Sequence, residues 1–174
     1  MHDHLADQRS PLAFTDAHRG ALAERRTDLD RTLQSLHDLE AALAAAAPGR
    51  GAVWQRNVSH AIEVLDAATA EEARNADQPA SLLSDIARTQ PRLRNRVRGV
   101  RMQYAQLRQR IAALRAEVAA CNDLDVDAAD LRQRAGDVIR ALHLLRGRES
   151  DLIYEAYYDA FDRDVGEELG PGRA

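Results

Sequence analysis

Apolar positions recur along this chain at steps of three and four, the spacing that keeps side chains on one face of an α-helix. Four long segments and one short one carry such a stripe. The first runs from about Thr15 to Ala47, with Leu22, Leu29, Leu36 and Leu43 in regular succession and Leu33 beside them. The second, about Ala52 to Asn75, carries Trp54, Val58, Ala61, Leu65 and Ala68. A short piece from Ala80 to Thr89 turns Leu82, Leu83 and Ile86 to one side. The third long segment begins after Pro91, a residue that suits a first helical turn because its missing N–H is not needed there. Its stripe is unbroken: Leu93, Val97, Val100, Tyr104, Leu107, Ile111, Leu114, Val118. The fourth starts near Asp127, a good N-cap, and reads Leu131, Ala135, Val138, Leu142, Leu145, Glu149, Leu152, Ala156.

Breakers separate these segments: Pro48-Gly49-Arg50-Gly51, Gln78-Pro79, Gln90-Pro91, Asn122-Asp123 and Gly170-Pro171-Gly172. No solenoid-period repeat and no strand-turn rhythm is present. Short connections make successive helices antiparallel neighbours. The pattern therefore predicts an all-α fold: an antiparallel up-down-up-down four-helix bundle with a short extra helix between helices 2 and 3. The bundle spans residues 12–166, with flexible tails at 1–11 and 167–174. A long coiled-coil dimer is the alternative, disfavoured by the tight turns and the comparable stripe lengths.

Composition agrees with helices. Of 174 residues 45% are hydrophobic and only 4% aromatic, with Ala and Leu dominant. All 24 basic residues are Arg, which excludes a Schiff-base or phosphate-loop lysine. The net charge of −4 exerts no general pull on nucleic acid or anionic membranes. Cys121 stands alone, so neither an intramolecular disulfide nor a cysteine-rich zinc site is expected. The first residues carry charges where a signal peptide needs an apolar stretch, and no apolar run is long enough to span a bilayer. The expectation is a cytoplasmic protein.

The informative residues are those that interrupt the stripes. Glu72 continues the second stripe, Glu149 sits between Leu145 and Leu152 on the fourth, and Tyr104 lies mid-way along the third. At ~1.5 Å rise per residue, Glu72, Glu149 and Arg25 fall at one level of the bundle, Tyr104 about one turn and His18 about two turns away. One reading is a metal site, since inward carboxylates and histidines on facing helices build di-iron and di-manganese bundles. The weightier reading is a polar layer in which Arg25 or Arg101 pairs with Glu72 and Glu149. His2, His4, His37, His60 and His143 lie off the stripes or in the tail. The run Asp123 to Asp127 with Asp130 has carboxylates at calcium-loop spacing but lacks the required Gly, and Arg134 stands where the bidentate Glu belongs.

The stretches Leu65-Asp-Ala-Ala-Thr-Ala-Glu-Glu72, Asp77-Gln-Pro-Ala-Ser-Leu-Leu-Ser-Asp-Ile-Ala-Arg-Thr-Gln-Pro-Arg-Leu93 and Asp151-Leu-Ile-Tyr-Glu-Ala-Tyr157 resemble those of hemerythrin-like (HHE cation-binding) bundle proteins. The resemblance runs from about His18 to Val165 and lies in rhythm rather than in a diagnostic motif. It implies histidines and carboxylates on four helices holding a di-iron centre. Position by position, His18 stands for the first-helix histidine. Glu72 falls where a histidine is expected, with Asp77 as its carboxylate partner. Tyr104 replaces the third-helix histidine, and Leu145 the fourth, leaving Glu149 nearby. His18, Glu72, Asp77, Tyr104 and Glu149 are thus the candidate metal ligands, for iron or manganese if any cofactor is kept. The departures point to a degenerate site.

Charge is unevenly placed. Nine arginines and no acid lie between Ile86 and Ala116, whereas Asp151, Glu155, Asp159, Asp162, Asp164, Glu167 and Glu168 crowd the end of the fourth helix. Intramolecular pairing of the two regions is expected. The alternative is a face of Arg92, Arg94, Arg96, Arg98 and Arg101 that docks an acidic protein; nucleic acid is not expected, and the chain is read as monomer or homodimer. With no nucleophile–base pair or cofactor fingerprint, the sequence reads as a non-catalytic binding or regulatory module. A di-metal protein handling oxygen or peroxide is the runner-up.

Overall fold

A computed structural model describes residues 15–45, 51–120 and 128–168, with side chains of the last segment described from 129 to 158. The described residues form helices α1 (Asp16–Ala44), α2 (Gly51–Asp77), α3 (Leu82–Thr89), α4 (Arg94–Ala120) and α5 (Ala128–Glu168), with a 3₁₀ turn at Pro91–Leu93 before α4. No strand occurs among them. The architecture is an all-α helical bundle. None of the helices is long and apolar enough to cross a membrane. Cys121, the Asp123–Asp127 run, His2, His4, the Pro48 turn and the acidic side chains beyond residue 158 lie outside the described residues.

Local chemistry sets the helix ends. Thr15 caps α1: its hydroxyl accepts the His18 backbone N–H at 3.3 Å, while His18 Nδ1 accepts the Thr15 N–H at 3.1 Å. Ser81 caps α3, accepting the Ser84 N–H at 3.2 Å and donating its hydroxyl to Ala76 O at 2.7 Å. The second hydrogen bond also satisfies a carbonyl in the last turn of α2, so one serine joins two helix ends.

Packing follows the stripes closely in three helices. Every stripe residue named above for α2, α4 and α5 is buried, Glu72, Tyr104 and Glu149 included, and so are Leu82, Leu83 and Ile86 of α3. α1 departs from its leucine stripe. Leu36 and Leu43 are buried together with Leu39, but Leu22, Leu29 and Leu33 are only half-buried. Asp28, Thr32 and Ser35 take the inner positions instead. The cause is polar pairing: Asn75 Nδ2 donates to Asp28 at 2.9 Å and Thr32 donates to Glu72 at 2.9 Å. The C-terminal half of α1 is thus held by apolar contact, and its N-terminal half by hydrogen bonds and charge together with Ala21 and Leu22, which pack partly buried against the core.

α1 packs on α2, α2 on α4 and α4 on α5, while α3 touches all four long helices and closes one end of the core. The α1–α5 seam is bridged by side chains. Arg132 Nε donates to Leu43 O at 2.7 Å, and its guanidinium lies 5.5 Å from the Trp54 ring centre. Arg25 makes another bridge, and the rings of His18 and Tyr157 lie 5.3 Å apart across the same seam.

Candidate functional site

Four helices bring Arg25 and Thr32 (α1), Glu72 (α2), Tyr104 (α4), and Arg146 and Glu149 (α5) into one cluster within the core. Both glutamates are 1% exposed. Arg25 lies between them. Its Nε donates to Glu149 Oε1 at 2.9 Å, its Nη2 pairs with Glu149 Oε2, and its Nη1 stands 2.9 Å from Glu72 Oε1 as an ion pair off hydrogen-bond alignment. Arg146 Nη2 donates to Glu72 Oε2 at 2.7 Å, beside the Thr32 hydroxyl. The Tyr104 hydroxyl is 2.8 Å from Glu72 Oε1 and 2.8 Å from Glu149 Oε2, one proton shared between two acceptors.

The charges balance. Two guanidinium groups face two carboxylates around a neutral phenol. Burial alone would depress the Arg25 pKa, but the negative charges of Glu149 and Glu72 lift it above the ordinary arginine value. Burial raises the Tyr104 pKa far above the ordinary 10.0, reinforced by the negative charges of Glu149 and Glu72. Arg146 is pulled below its ordinary value by burial; Glu72 opposes this and the charge of Arg25 adds to it. Arg146 Nε and Nη1 are buried without a hydrogen-bond partner among the described residues, so this side chain is held by charge rather than by full satisfaction of its donors.

Iron or manganese does not fit this donor set. Each carboxylate oxygen already faces a guanidinium, hydroxyl or phenol, and a cation placed between the glutamates would meet Arg25. Among the described residues no histidine reaches the cluster, and no group of three or more His, Cys, Asp or Glu residues able to hold an ion occurs. The adjoining cavity, lined by Arg25, Asp28, Glu72, Asn75 and Glu149, has a volume of about 30 Å³. That is an order of magnitude below the ~300–1,000 Å³ of small-molecule sites.

Of the five candidate ligands, Glu72, Tyr104 and Glu149 come together and His18 and Asp77 do not. Asp77 is 67% exposed and pairs with Arg101 Nε at 2.9 Å. Arg101 also donates to Ser84 Oγ at 2.8 Å, so it serves the α2–α3 junction and not the core glutamates. His18 belongs to a separate group: its Nε2 lies 3.1 Å from Asp85 Oδ2, which also accepts the Tyr157 hydroxyl at 2.6 Å, while Arg88 pairs with Asp85 Oδ1 at 2.5 Å. Burial works to raise the Asp85 pKa, but the hydrogen bonds from Tyr157, Arg88 and His18 outweigh it and hold the carboxyl below its ordinary 3.8. Asp85, Tyr157, Arg146 and Thr32 were not among the candidates. Arg146 could have been found, because it stands three residues before Glu149, beside the α5 stripe, where a partner for a buried carboxylate belongs.

The arginine-rich stretch is partly engaged. Arg92 Nη1 donates to Glu155 Oε1 at 2.8 Å, and Arg96 pairs with the other oxygen of the same carboxylate. The hydrogen bond from Arg96 holds Glu155 below the ordinary carboxylate range. Arg94 Nε donates to Ala87 O at 3.2 Å. Arg98 is exposed and takes part in none of these contacts. Comparison with family models, with curated proteins and with solved structures finds no match.

Proposed function

We propose that this chain is a non-catalytic binding or regulatory module: a hemerythrin-like, up-down-up-down antiparallel bundle with a degenerate metal site, in which an arginine–carboxylate cluster stands in place of a metal. The observation that carries this reading is Arg25, whose guanidinium lies between Glu72 and Glu149 and supplies the positive charge a metal would otherwise provide. Arg146 completes the neutralisation. The short helix α3 belongs to the same scheme as the extra element between helices 2 and 3. Docking of an acidic protein through Arg92, Arg94, Arg96, Arg98 and Arg101 is the weaker form of the binding function, since Glu155 already occupies two of those arginines.

The test is metal content and visible absorption of protein purified without chelator and then supplied with ferrous iron in air. Iron well below one equivalent, with no charge-transfer band, is expected. Stoichiometric iron with oxygen-dependent bands would overturn the reading in favour of the di-metal alternative.

A further inference from the structure

α4 and α5 run side by side in opposite directions, with Glu117 paired to Arg134 near one end of their seam and Arg96 to Glu155 near the other. The outward side of each helix carries a stripe that the fold leaves open. On α4 it is Arg94, Arg98, Met102 and Ala105, all exposed, Met102 by 58%. On α5 it is Leu144, Gly147, Asp151, Tyr154 and Tyr158, also all exposed, with Leu144 at 64% and Tyr154 at 56%. The two tyrosines form an edge-to-face pair with ring centres 5.2 Å apart. Tyrosine and methionine are enriched where proteins meet one another.

Three details point away from the chain's own core. Arg98 and Asp151 carry opposite charges on neighbouring helices, yet neither enters an ion pair or side-chain hydrogen bond among the described residues. The Arg94 guanidinium reaches only the carbonyl of Ala87. A Cβ added at Gly147 would meet no neighbouring atom within 4 Å, so packing inside the chain does not call for a residue that weakens a helix interior.

The two stripes match each other in register. Counting from the Arg96–Glu155 pair, Arg94 is level with Tyr158, Arg98 with Tyr154 and Asp151, Met102 with Gly147 and Ala105 with Leu144, each to within ~3 Å at ~1.5 Å per residue. A two-fold axis parallel to the helices and between them lays the α4 stripe of one copy over the α5 stripe of the other, twice, without shifting these levels. Guanidinium groups then face tyrosine rings and a carboxylate, Leu144 faces the small Ala105, and the Met102 side chain faces the notch at Gly147.

We propose that this face is the interface of a symmetric homodimer, in which Arg98 of each copy pairs with Asp151 and stacks on Tyr154 of the other, and Met102 enters the notch at Gly147. The proposal rests on the docking role given above to the arginine face, and names its acidic partner as a second copy of this chain. It uses no side chain of the core cluster. Four turns on each of two helices make a face near the small end of specific interfaces, so the dimer is expected to dissociate on dilution.

The test is sedimentation equilibrium of the full chain over a concentration series up to ~200 µM. A monomer–dimer equilibrium is expected, weakened by added salt. Arg98→Glu and Asp151→Arg each set like charges across the interface and are each expected to weaken association about tenfold or more. Gly147→Gln, which fills the notch, is expected to weaken it similarly. An equimolar mixture of Arg98→Glu and Asp151→Arg is expected to restore the dimer, because both contacts of the mixed pair again join opposite charges. All these positions are exposed, and circular dichroism reports that the variants are folded. A natural chain that stays monomeric over the whole series overturns the proposal. So does a dimer that either charge reversal leaves unchanged, or a mixture no more dimeric than its components. A monomer that still binds a labelled hexaglutamate peptide, with loss of binding in Arg98→Glu, keeps the docking role of the arginine face and overturns the dimer.

Discussion

Replacing Arg25 by methionine probes the core cluster directly. The change keeps much of the stem of a side chain that is 17% exposed and removes the guanidinium, which contacts both glutamates. What remains is two carboxylates, each 1% exposed, with Arg146 as the only remaining cation of the cluster. Breaking a buried pair by removing one partner costs about 3–5 kcal/mol, because the other charge is left uncompensated. Against the ~5–15 kcal/mol that holds a typical domain together, such a loss is severe. Urea unfolding followed by circular dichroism measures it, with an unchanged slope showing that the transition is the same one. The loss depends on pH in a definite sense. An unpaired buried carboxylate has its pKa raised above the ordinary value of about 4.3, so the deficit of the variant is full above that raised value and shrinks as pH falls below it towards about 4.3. The double variant Arg25→Met/Glu149→Met removes both charges and leaves Glu72 with Arg146, the Tyr104 hydroxyl and Thr32. It is expected to be more stable than Arg25→Met alone, which gives a coupling of about 1–3 kcal/mol between the two positions. A deficit below about 1 kcal/mol for Arg25→Met that does not vary with pH would refute the view of a charge-balanced buried cluster, since exposed ion pairs cost no more than that.

Two further outcomes follow from the titrating groups and one from the core. Tyr104 keeps its proton well above pH 10 in the folded chain, so its contribution to stability is fully present below about pH 10 and is lost only as pH rises further. A spectrophotometric phenolate titration should show one fewer late-titrating tyrosine in Tyr104→Phe. Asp85, held below its ordinary 3.8, stabilises the fold above that pH and loses this contribution as acid protonates it. The acid limb of a plot of thermal midpoint against pH should therefore flatten in Asp85→Asn, and an unchanged limb would discount the His18–Asp85–Tyr157 group. Leu142, fully buried at 0% exposure in the α5 stripe, should cost about 2–5 kcal/mol when cut to alanine, read by urea unfolding.

Much of this molecule follows from short-range periodicity. Every residue of the stripes on α2, α4 and α5 is buried, because a helix rotates by a constant angle and the side chains on one side share one environment, although the buried face is wider than the stripe and also takes in Ile62, Ala70, Ile153 and Tyr157. The same regularity put Glu72, Glu149 and Arg25 at one level and Tyr104 within about a turn of it, since rise per residue is constant too. On α1 periodicity misled. Its leucines suggested one inner face, yet Asp28, Thr32 and Ser35 turn inward, because Asn75 and Glu72 on α2 satisfy the first two and the Ser35 hydroxyl donates to the Thr32 carbonyl of its own helix. Apolar spacing along one helix carries no information about such partners.

His18 and Asp77 illustrate the other limit. Each stands at a plausible height for a metal ligand, but helix rotation and the position of α3 send His18 to Asp85 and leave Asp77 at the surface with Arg101. Arg146 reaches the core for the converse reason: a long side chain beside the stripe finds an acceptor, Glu72, on a helix far away in sequence. The sequence alone determined that the chain is helical, which residues form most of its interior and that charges interrupt that interior. Only the tertiary structure decided which charges meet. Ion pairing depends on distances of a few ångströms across helices, and nothing in the spacing along a single helix sets those distances.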